Sequence, residues 1–372
     1  MKIALVHDYL QVYGGAERVL ESMHKIWPDA PIYTAFVDWK GLGPHADRIK
    51  TWDIRTSWVE RNWFVKKLHS PLRFLTPWVW KYFDFSDYDA VISSSAWYMP
   101  RGIKTDPKRT THICYLHTPP RYLYGYDTAR NWNKYWPIKL YSLIVNHYLR
   151  LYDFNIAQNV NYFIANSIET QKRITKFYRR ESTVIYPPVE LKRSDLFIQK
   201  GQTLPDNYYL VVSRLARTKH IDLAIDACQK LNKPLVIVGK GPDKEFLQSK
   251  IREGSNITLL GEVADKELPT IYANAKTLIF PAKDEEFGIV PVEAMGYGIP
   301  VVAFRSGGVP ETVIENKTGI IFDELTTNSV VKALRQLDKL KVQPQDCKAR
   351  AREFSKEIFQ TNLINFISSK IS

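Results

Sequence analysis

Residues 277–311 read TLIFPAKDEEFGIVPVEAMGYGIPVVAFRSGGVPE. The run from Thr277 to Phe280 is short, apolar and closed by Pro281, the pattern of a fully buried parallel strand. An acidic loop and Gly288 follow. From about Val290 to Tyr297 the spacing predicts a helix with Pro291 in its first turn, where proline is tolerated. Pro300 to Phe304 is the next strand. Glu285 and Glu293 therefore stand eight residues apart, one on the loop leaving a strand and one on the helix. Between them lie the amides of Phe287, Gly288, Ile289 and Val290, at a helix start that favours anions. Carboxylates beside such a site would repel phosphate, so they read as hydroxyl acceptors. Amides for a diphosphate and carboxylates for sugar and ribose hydroxyls suit a sugar nucleotide.

The pattern E-x7-E followed by A-M-x-x-G-x-P-V-V resembles the donor-site signature of the retaining glycosyltransferases of family 4. Without that resemblance the same residues read as a solvated acidic loop before an ordinary helix. The resemblance implies an α/β chain of the GT-B fold, two doubly wound Rossmann-like domains facing a central cleft. Family members carry a glycine between the first glutamate and the phenylalanine, where this chain has Glu286. Either Glu285 or Glu286 then faces the sugar, and the eight-residue spacing favours Glu285.

A chain of 372 residues is natural for two domains. With 45% hydrophobic and 24% charged residues it has an ordinary globular composition. Its 52 Lys and Arg against 39 Asp and Glu give a formal charge of +13, which points to an acidic partner. Nucleotide phosphates, nucleic acid and an anionic membrane surface all answer to that. Cys114, Cys228 and Cys347 form no C-x-x-C pair, so buried reduced thiols are expected. The first residues enter directly on a strand and His7-Asp8 interrupts any apolar run, so no signal peptide is expected. No run reaches about 18 apolar residues, the length a spanning helix needs.

Taken in order, Lys2 to Val6 is a strand, and a helix is expected from Ala16 to about Ile26. Gly14-Gly15 puts bare amides between them, at the strand's carboxyl end, where open α/β sheets bind ligands. The phrase HDY-x5-GGAERVL resembles the opening of the same family, which implies that Gly14 and Gly15 approach the donor phosphates. Residues 52–85 interleave five tryptophans with Arg55, Arg61, Lys66, Lys67, Arg73 and Lys81. Those rings either fill the domain's own core or form a basic, aromatic surface for a membrane interface. A nucleic-acid surface is a third reading, but no nucleic-acid module accompanies it, so no nucleic-acid partner is expected. Asp87-Tyr88-Asp89 has the D-x-D form of a metal site. It stands at the amino edge of the following strand, far from the expected site, so no metal is expected.

His112 to Leu116 is a strand that delivers His117 at its carboxyl end. H-T-P-x-R-Y resembles the version found in mannosyltransferase-like members, which implies that His117 lies beside the donor sugar. Tyr122 to about Arg150, with Arg130, Lys134 and Lys139, is expected on the acceptor side or in the packing. The polar run 192–207 after Pro187-Pro188 reads as the interdomain linker. Tyr208 to Val212 opens the second domain, and Arg214 and Lys219 flank a strand-to-helix loop where two cations could hold a diphosphate. The phrase S-R-L-x3-K resembles the family's diphosphate motif. The strands at 235–241 and 256–263 imply a nucleotide base near Gly239 and Val263.

The expected boundaries are 1–187 for an acceptor-side domain and 188–353 for a nucleotide-sugar domain, with a helix at about 354–372 packing back on the first. The implied activity is metal-independent, cofactor-free, retaining transfer of a hexose, mannose first and glucose second. The donor would be GDP-mannose or UDP-glucose, and the acceptor a saccharide or polyprenyl-linked glycan of cell-surface polysaccharide synthesis. His117, Arg214, Lys219 and Glu285 carry the reaction in this reading, in the cytoplasm or on the cytoplasmic face of a membrane. A sugar-nucleotide epimerase of the same fold and a basic membrane- or nucleic-acid-binding protein are the alternatives.

Overall fold

The computed structural model describes residues 1–128, 136–191 and 204–371. The segment 129–135, with the expected Arg130 and Lys134, and most of the expected linker, 192–203, lie outside the described residues. The chain divides into two compact units. The first runs from Met1 to Pro188 and resumes at Lys356, and the second is built on Val189–Ser355.

The first unit holds a sheet of seven parallel strands: β1 (Ile3–His7), β2 (Ile32–Thr34), β3 (Ile54–Thr56), β4 (Ala90–Ser95), β5 (Thr111–Leu116), β6 (Tyr162–Ala165) and β7 (Ser182–Val184). Their order is β3-β2-β1-β4-β5-β6-β7. Strand β1 pairs with β4 from Ile3↔Ala90 to His7↔Ser94. Every residue of β1 and β4 is buried, as central strands of a doubly covered parallel sheet must be. The helix Lys356–Ser368 belongs to this unit. Its Phe359, Leu363 and Ile367 pack in one cluster with Ile3, Leu5, Val19 and Met23. At about 1.5–3 kcal/mol for each large apolar side chain fully buried, that contact is ample to hold a four-turn helix.

The second unit repeats the plan with six parallel strands: β8 (Tyr209–Val212), β9 (Leu235–Val238), β10 (Ile257–Gly261), β11 (Thr277–Phe280), β12 (Val301–Phe304) and β13 (Gly319–Phe322). The order is β10-β9-β8-β11-β12-β13. The helix expected at Val290–Tyr297 spans Ile289–Gly296. Where the chain enters and leaves this unit, Val189 and Ser355 form a parallel bridge.

The aromatic stretch divides. Trp80 is fully buried and donates its indole N–H to the Tyr98 carbonyl at 2.5 Å, while Trp63 and Trp78 are exposed. Asp89 of the D-x-D triplet accepts the Lys2 amide at 2.6 Å at the amino edge of the sheet. All three cysteines are buried, and burial raises their thiols, that of Cys114 to about 11. They remain protonated and inert.

One buried ion pair anchors the first unit. Arg101, after β4, pairs with Asp153 on the helix Trp136–Gln158, and neither side chain is exposed. Arg101 also reaches Ser95 Oγ at 2.8 Å and the Tyr178 hydroxyl at 2.7 Å. The second Asp153 oxygen accepts from Tyr124 and Tyr178, each at 2.8 Å. Removing one partner strands the other charge in the core. Asp153→Ala should therefore cost about 3–5 kcal/mol. All ten tryptophans lie before residue 137, so urea unfolding followed by tryptophan fluorescence reports this unit alone. An unchanged midpoint would show that Arg101 finds another partner.

Candidate functional site

Both sheets reverse their winding between the first and fourth strands in sequence. The loops leaving those two strands diverge to opposite faces and leave a crevice at the carboxyl ends. In the second unit these loops follow β8 and β11.

The β8 loop carries Arg214, exposed and without a hydrogen bond or ion pair from its side chain among the described residues, and Lys219. The β11 loop carries Glu285. The two loops are joined at their backbones, since the Lys283 amide donates to the Thr218 carbonyl at 3.0 Å. At their side chains Lys219 Nζ pairs with Glu285 Oε2, both about one-fifth exposed. The structure thus brings together two residues assigned separately in sequence to diphosphate and sugar. Glu285 is the member of the Glu285–Glu286 pair that meets Lys219.

The β11 loop owes its shape to Gly307-Gly308. A Cβ on Gly307 would stand 1.8 Å from the Glu285 carbonyl oxygen, so no other residue fits without moving the loop. The Gly308 amide donates to that same carbonyl at 2.8 Å. Gly239 does the equivalent after β9, where a Cβ would lie 1.9 Å from the Ser213 carbonyl oxygen. Gly239 therefore lets the β9 turn close on the Arg214 loop. Val263, half-buried, follows the edge strand β10.

The helix Ile289–Gly296 begins at Gly288 with no side-chain cap, so amides at its start are not answered by a capping side chain. Phe287 is buried and meets the Phe354 ring edge-on at 5.3 Å. Glu293, one turn into the helix, is buried and accepts from the Tyr272 hydroxyl at 3.0 Å. Tyr272 in turn stacks on Tyr297 at 5.2 Å. Burial, then the Glu293 charge, pushes the Tyr297 hydroxyl up to about 12. Tyr272 carried no signal in the sequence, because its link to Glu293 spans 21 residues and two elements.

In the first unit the crevice lies after β1 and β4. Asp8 crosses it and accepts the Trp97 amide at 2.6 Å, and burial raises its carboxyl. Helix α1 (Gly15–Ile26) starts at Gly14, whose amide donates to Glu17 Oε2 at 2.8 Å. The Gly14 amide is thus engaged within the chain, and Gly15 is the first residue of the helix.

His117 follows β5 and is 8% exposed. Burial, then the His7 charge, pushes its imidazole down to about 3, so it is neutral. Its Nε2 lies 2.8 Å from Ser94 Oγ, which lies 3.1 Å from His7 Nδ1. His7 Nε2 lies 3.5 Å from Glu17 Oε1. Burial works to raise the Glu17 carboxyl, but the hydrogen bond and charge of His7 and two backbone amides outweigh it and hold the group below its usual range. Glu17 is therefore a carboxylate and can only accept, so His7 carries a hydrogen on Nε2. When His7 is neutral, its Nδ1 accepts from the Ser94 hydroxyl and the Ser94 oxygen accepts from His117 Nε2–H. His117 Nδ1 is then an acceptor. Protonating His7 turns the Ser94 hydroxyl round and makes His117 Nδ1 a donor. Sequence reading singled out His117 alone, since Glu17, Ser94 and His117 are joined only through parallel pairing of β1, β4 and β5.

Residues 192–354 match the family model of glycosyl transferases, group 1. The chain is 36% identical over 141 residues to the GDP-mannose-dependent alpha-(1-6)-phosphatidylinositol monomannoside mannosyltransferase of Mycobacterium tuberculosis (strain CDC 1551 / Oshkosh). That match covers 34% of this chain and 37% of the relative, so the aligned part spans well under half of the mycobacterial protein. It is 25% identical over 303 residues to the O-antigen chain mannosyltransferase B of Escherichia coli, covering 77% of this chain and 75% of that one. Among solved structures, Anabaena HepE in complex with UDP superposes with a TM-score of 0.69 at 21% identity, covering 99% and 100% of the two chains. The two Rossmann-like units are those of the GT-B fold.

The hydrogen-bond file makes a spectroscopic prediction. In 15N-detected NMR of the form with neutral His7, His117 should carry its hydrogen on Nε2. Ser94→Ala should abolish that preference. The same Nε2 tautomer in Ser94→Ala would show that Ser94 does not set it.

Proposed function

We propose that this chain transfers a hexose from a nucleoside-diphosphate sugar to a hydroxyl of a saccharide or lipid-linked acceptor, with retention at the anomeric carbon. The observation that carries the reading is the Lys219–Glu285 pair at the β8/β11 crevice, beside Arg214 and a helix start without a side-chain cap. Arg214, Lys219 and the amides from Phe287 to Val290 hold the diphosphate. Glu285 binds hydroxyls of the hexose, Glu293 the ribose, and Gly239 and Val263 flank the base.

In the step itself the bond from the anomeric carbon to the diphosphate oxygen breaks as the acceptor oxygen bonds to the same carbon. The acceptor proton passes to the departing phosphate. Negative charge grows on the diphosphate, and cations already fixed beside it stabilise that growth without reorganising. Lys219 is paired with Glu285 in the structure and would exchange part of that contact for phosphate. The names of the mycobacterial and Escherichia coli relatives favour mannose and GDP-mannose, and HepE solved with UDP-glucose keeps glucose as the second choice.

Replacing Arg214 or Lys219 with Ala should lower turnover on the order of 100- to 1,000-fold, the usual cost of one preorganised charge-stabilising group. Near wild-type transfer in both variants would remove leaving-group stabilisation from these residues. Because the protein supplies these cations, the reaction needs no metal, and transfer should persist in excess EDTA. Loss of activity restored by manganese or magnesium would reassign the charge stabilisation to an ion.

A further inference from the structure

The amino edge of the first unit's sheet holds a cavity of about 600 Å³, at the opposite end of β1 from the crevice. Lys2 before β1, Trp27 and Asp29 between α1 and β2, Asp53 and Arg55 at β3, and Tyr88 before β4 line it. That volume is in the range of small-molecule sites, about 300–1,000 Å³. Tyr88 is the middle residue of the Asp87-Tyr88-Asp89 triplet, which the transfer site does not use. Among the described residues no group of three or more His, Cys, Asp or Glu is placed to hold a metal ion.

The hydrogens at the floor of this cavity can be counted. Tyr33 and Tyr88 are both buried, and their hydroxyls lie 2.9 Å apart. Arg55 Nη1 is 2.9 Å from the Tyr33 oxygen and 3.3 Å from the Tyr88 oxygen, and a guanidinium can only donate. Both phenol oxygens therefore accept from Arg55, and one phenolic hydrogen lies between them. The other phenolic hydrogen has no acceptor among the described residues. Tyr88 lines the cavity and Tyr33 does not. An unanswered hydrogen on enclosed Tyr33 would cost the desolvation of a donor. Tyr33 therefore donates to Tyr88, and the Tyr88 hydrogen is left at the cavity. Burial pushes the Tyr88 hydroxyl up to about 12, so it remains a donor at neutral pH.

Arg55 is already engaged, since its Nε and Nη2 reach the two Asp53 oxygens at 3.4 and 2.8 Å. Lys2 is not. Its exposed ammonium stands 5.0 Å from the Tyr88 ring centre and makes no ion pair among the described residues. Asp89 fixes it there by accepting the Lys2 amide at 2.6 Å. The exposed Asp29 carboxylate likewise has no hydrogen bond or ion pair among the described residues. The cavity thus presents two donors, one of them cationic, a carboxylate, and the half-buried Trp27 ring. The donors suit a carboxylate or phosphate oxygen. Asp29 can only accept, so the same ligand must also bring a hydroxyl. An amino acid could pair with Asp29 through its ammonium, but it would leave most of the cavity unfilled.

We propose that this cavity is a second, non-catalytic saccharide site, which binds a hexose carrying a carboxylate or a phosphate. The anionic group takes the Tyr88 hydroxyl and the Lys2 ammonium, a ring hydroxyl donates to Asp29, and a C–H face of the sugar lies on Trp27. That the anion is carried on a sugar rests on the transferase reading above. The donors and the carboxylate do not, because they belong to the first unit alone and to neither crevice.

The test is a ligand-observed NMR titration of the full chain with glucuronate, mannose 6-phosphate, mannose, inorganic phosphate and serine, without sugar nucleotide. Glucuronate or mannose 6-phosphate should bind, and the tighter of the two identifies the anionic group. Mannose, phosphate and serine should each bind at least about ten-fold more weakly, the effect of losing one charge-assisted contact. Tyr88→Phe and Lys2→Ala should each weaken the sugar acid by a similar factor. Tyr33→Phe leaves the Tyr88 hydrogen at the cavity and should bind as wild type does. Phosphate or serine binding as tightly as the sugar acids would reduce the cavity to an ion or amino-acid site and overturn the proposal. So would a wild-type chain that binds neither anionic hexose, or binding unchanged in both Tyr88→Phe and Lys2→Ala. Displacement by excess GDP-mannose or UDP-glucose would move the binding to the transfer site, with the same consequence. Lys2→Ala should transfer sugar at the wild-type rate, and Arg214→Ala should keep this binding, so the two readings fail separately.

Discussion

Parallel strands joined by right-handed crossovers can cover both faces of a sheet only if the winding reverses once. Each unit of this protein reverses between its first and fourth strands, at β1/β4 and at β8/β11. The crevice that results is a consequence of chain topology, and it fixes which loops can share a ligand. Arg214, Lys219 and Glu285 come from the two loops at one reversal. Asp8 and the Ala96–Trp97 turn meet at the other.

Buried polar groups then give those loops single positions. The Arg101–Asp153 pair, with Ser95, Tyr124 and Tyr178 around it, ties the end of β4 to two helices. Such a pair is poor evidence of net stability against an apolar replacement, but breaking it is costly, and that gives a defined arrangement. The file from Glu17 through His7 and Ser94 to His117 works at lower charge. It decides the direction of one hydroxyl and so the hydrogen-bonding character that His117 presents.

Much of the fold was legible because both sheets are buried on both sides. The strand Thr277–Phe280 appears as a short apolar run closed by Pro281, and the structure returns those bounds. The helix at Ile289–Gly296 was legible from Gly288 and Pro291. The stretch 52–85 was not, because aromatic residues at short, irregular spacing carry no period. Trp80 and Trp78 are two residues apart on one short helix, yet one is buried and the other exposed. The exposed side of the helix Trp136–Gln158, with Leu140 and Leu143, was obscured for a different reason. That helix is apolar on both faces, so its composition left the acceptor side and packing equally open.

The sequence by itself determined the parallel α/β class and the doubling of the chain, because local period carries that information. Resemblance to a family singled out Arg214, Lys219, Glu285, Glu293 and His117 as candidates. The tertiary structure alone decided which of these meet. Lys219 finds Glu285 across 66 residues, Glu293 finds Tyr272 across 21, and His117 finds Ser94 across 23. Each contact depends on which strands lie side by side, and strand order is set by the packing of the whole sheet. No local pattern records it.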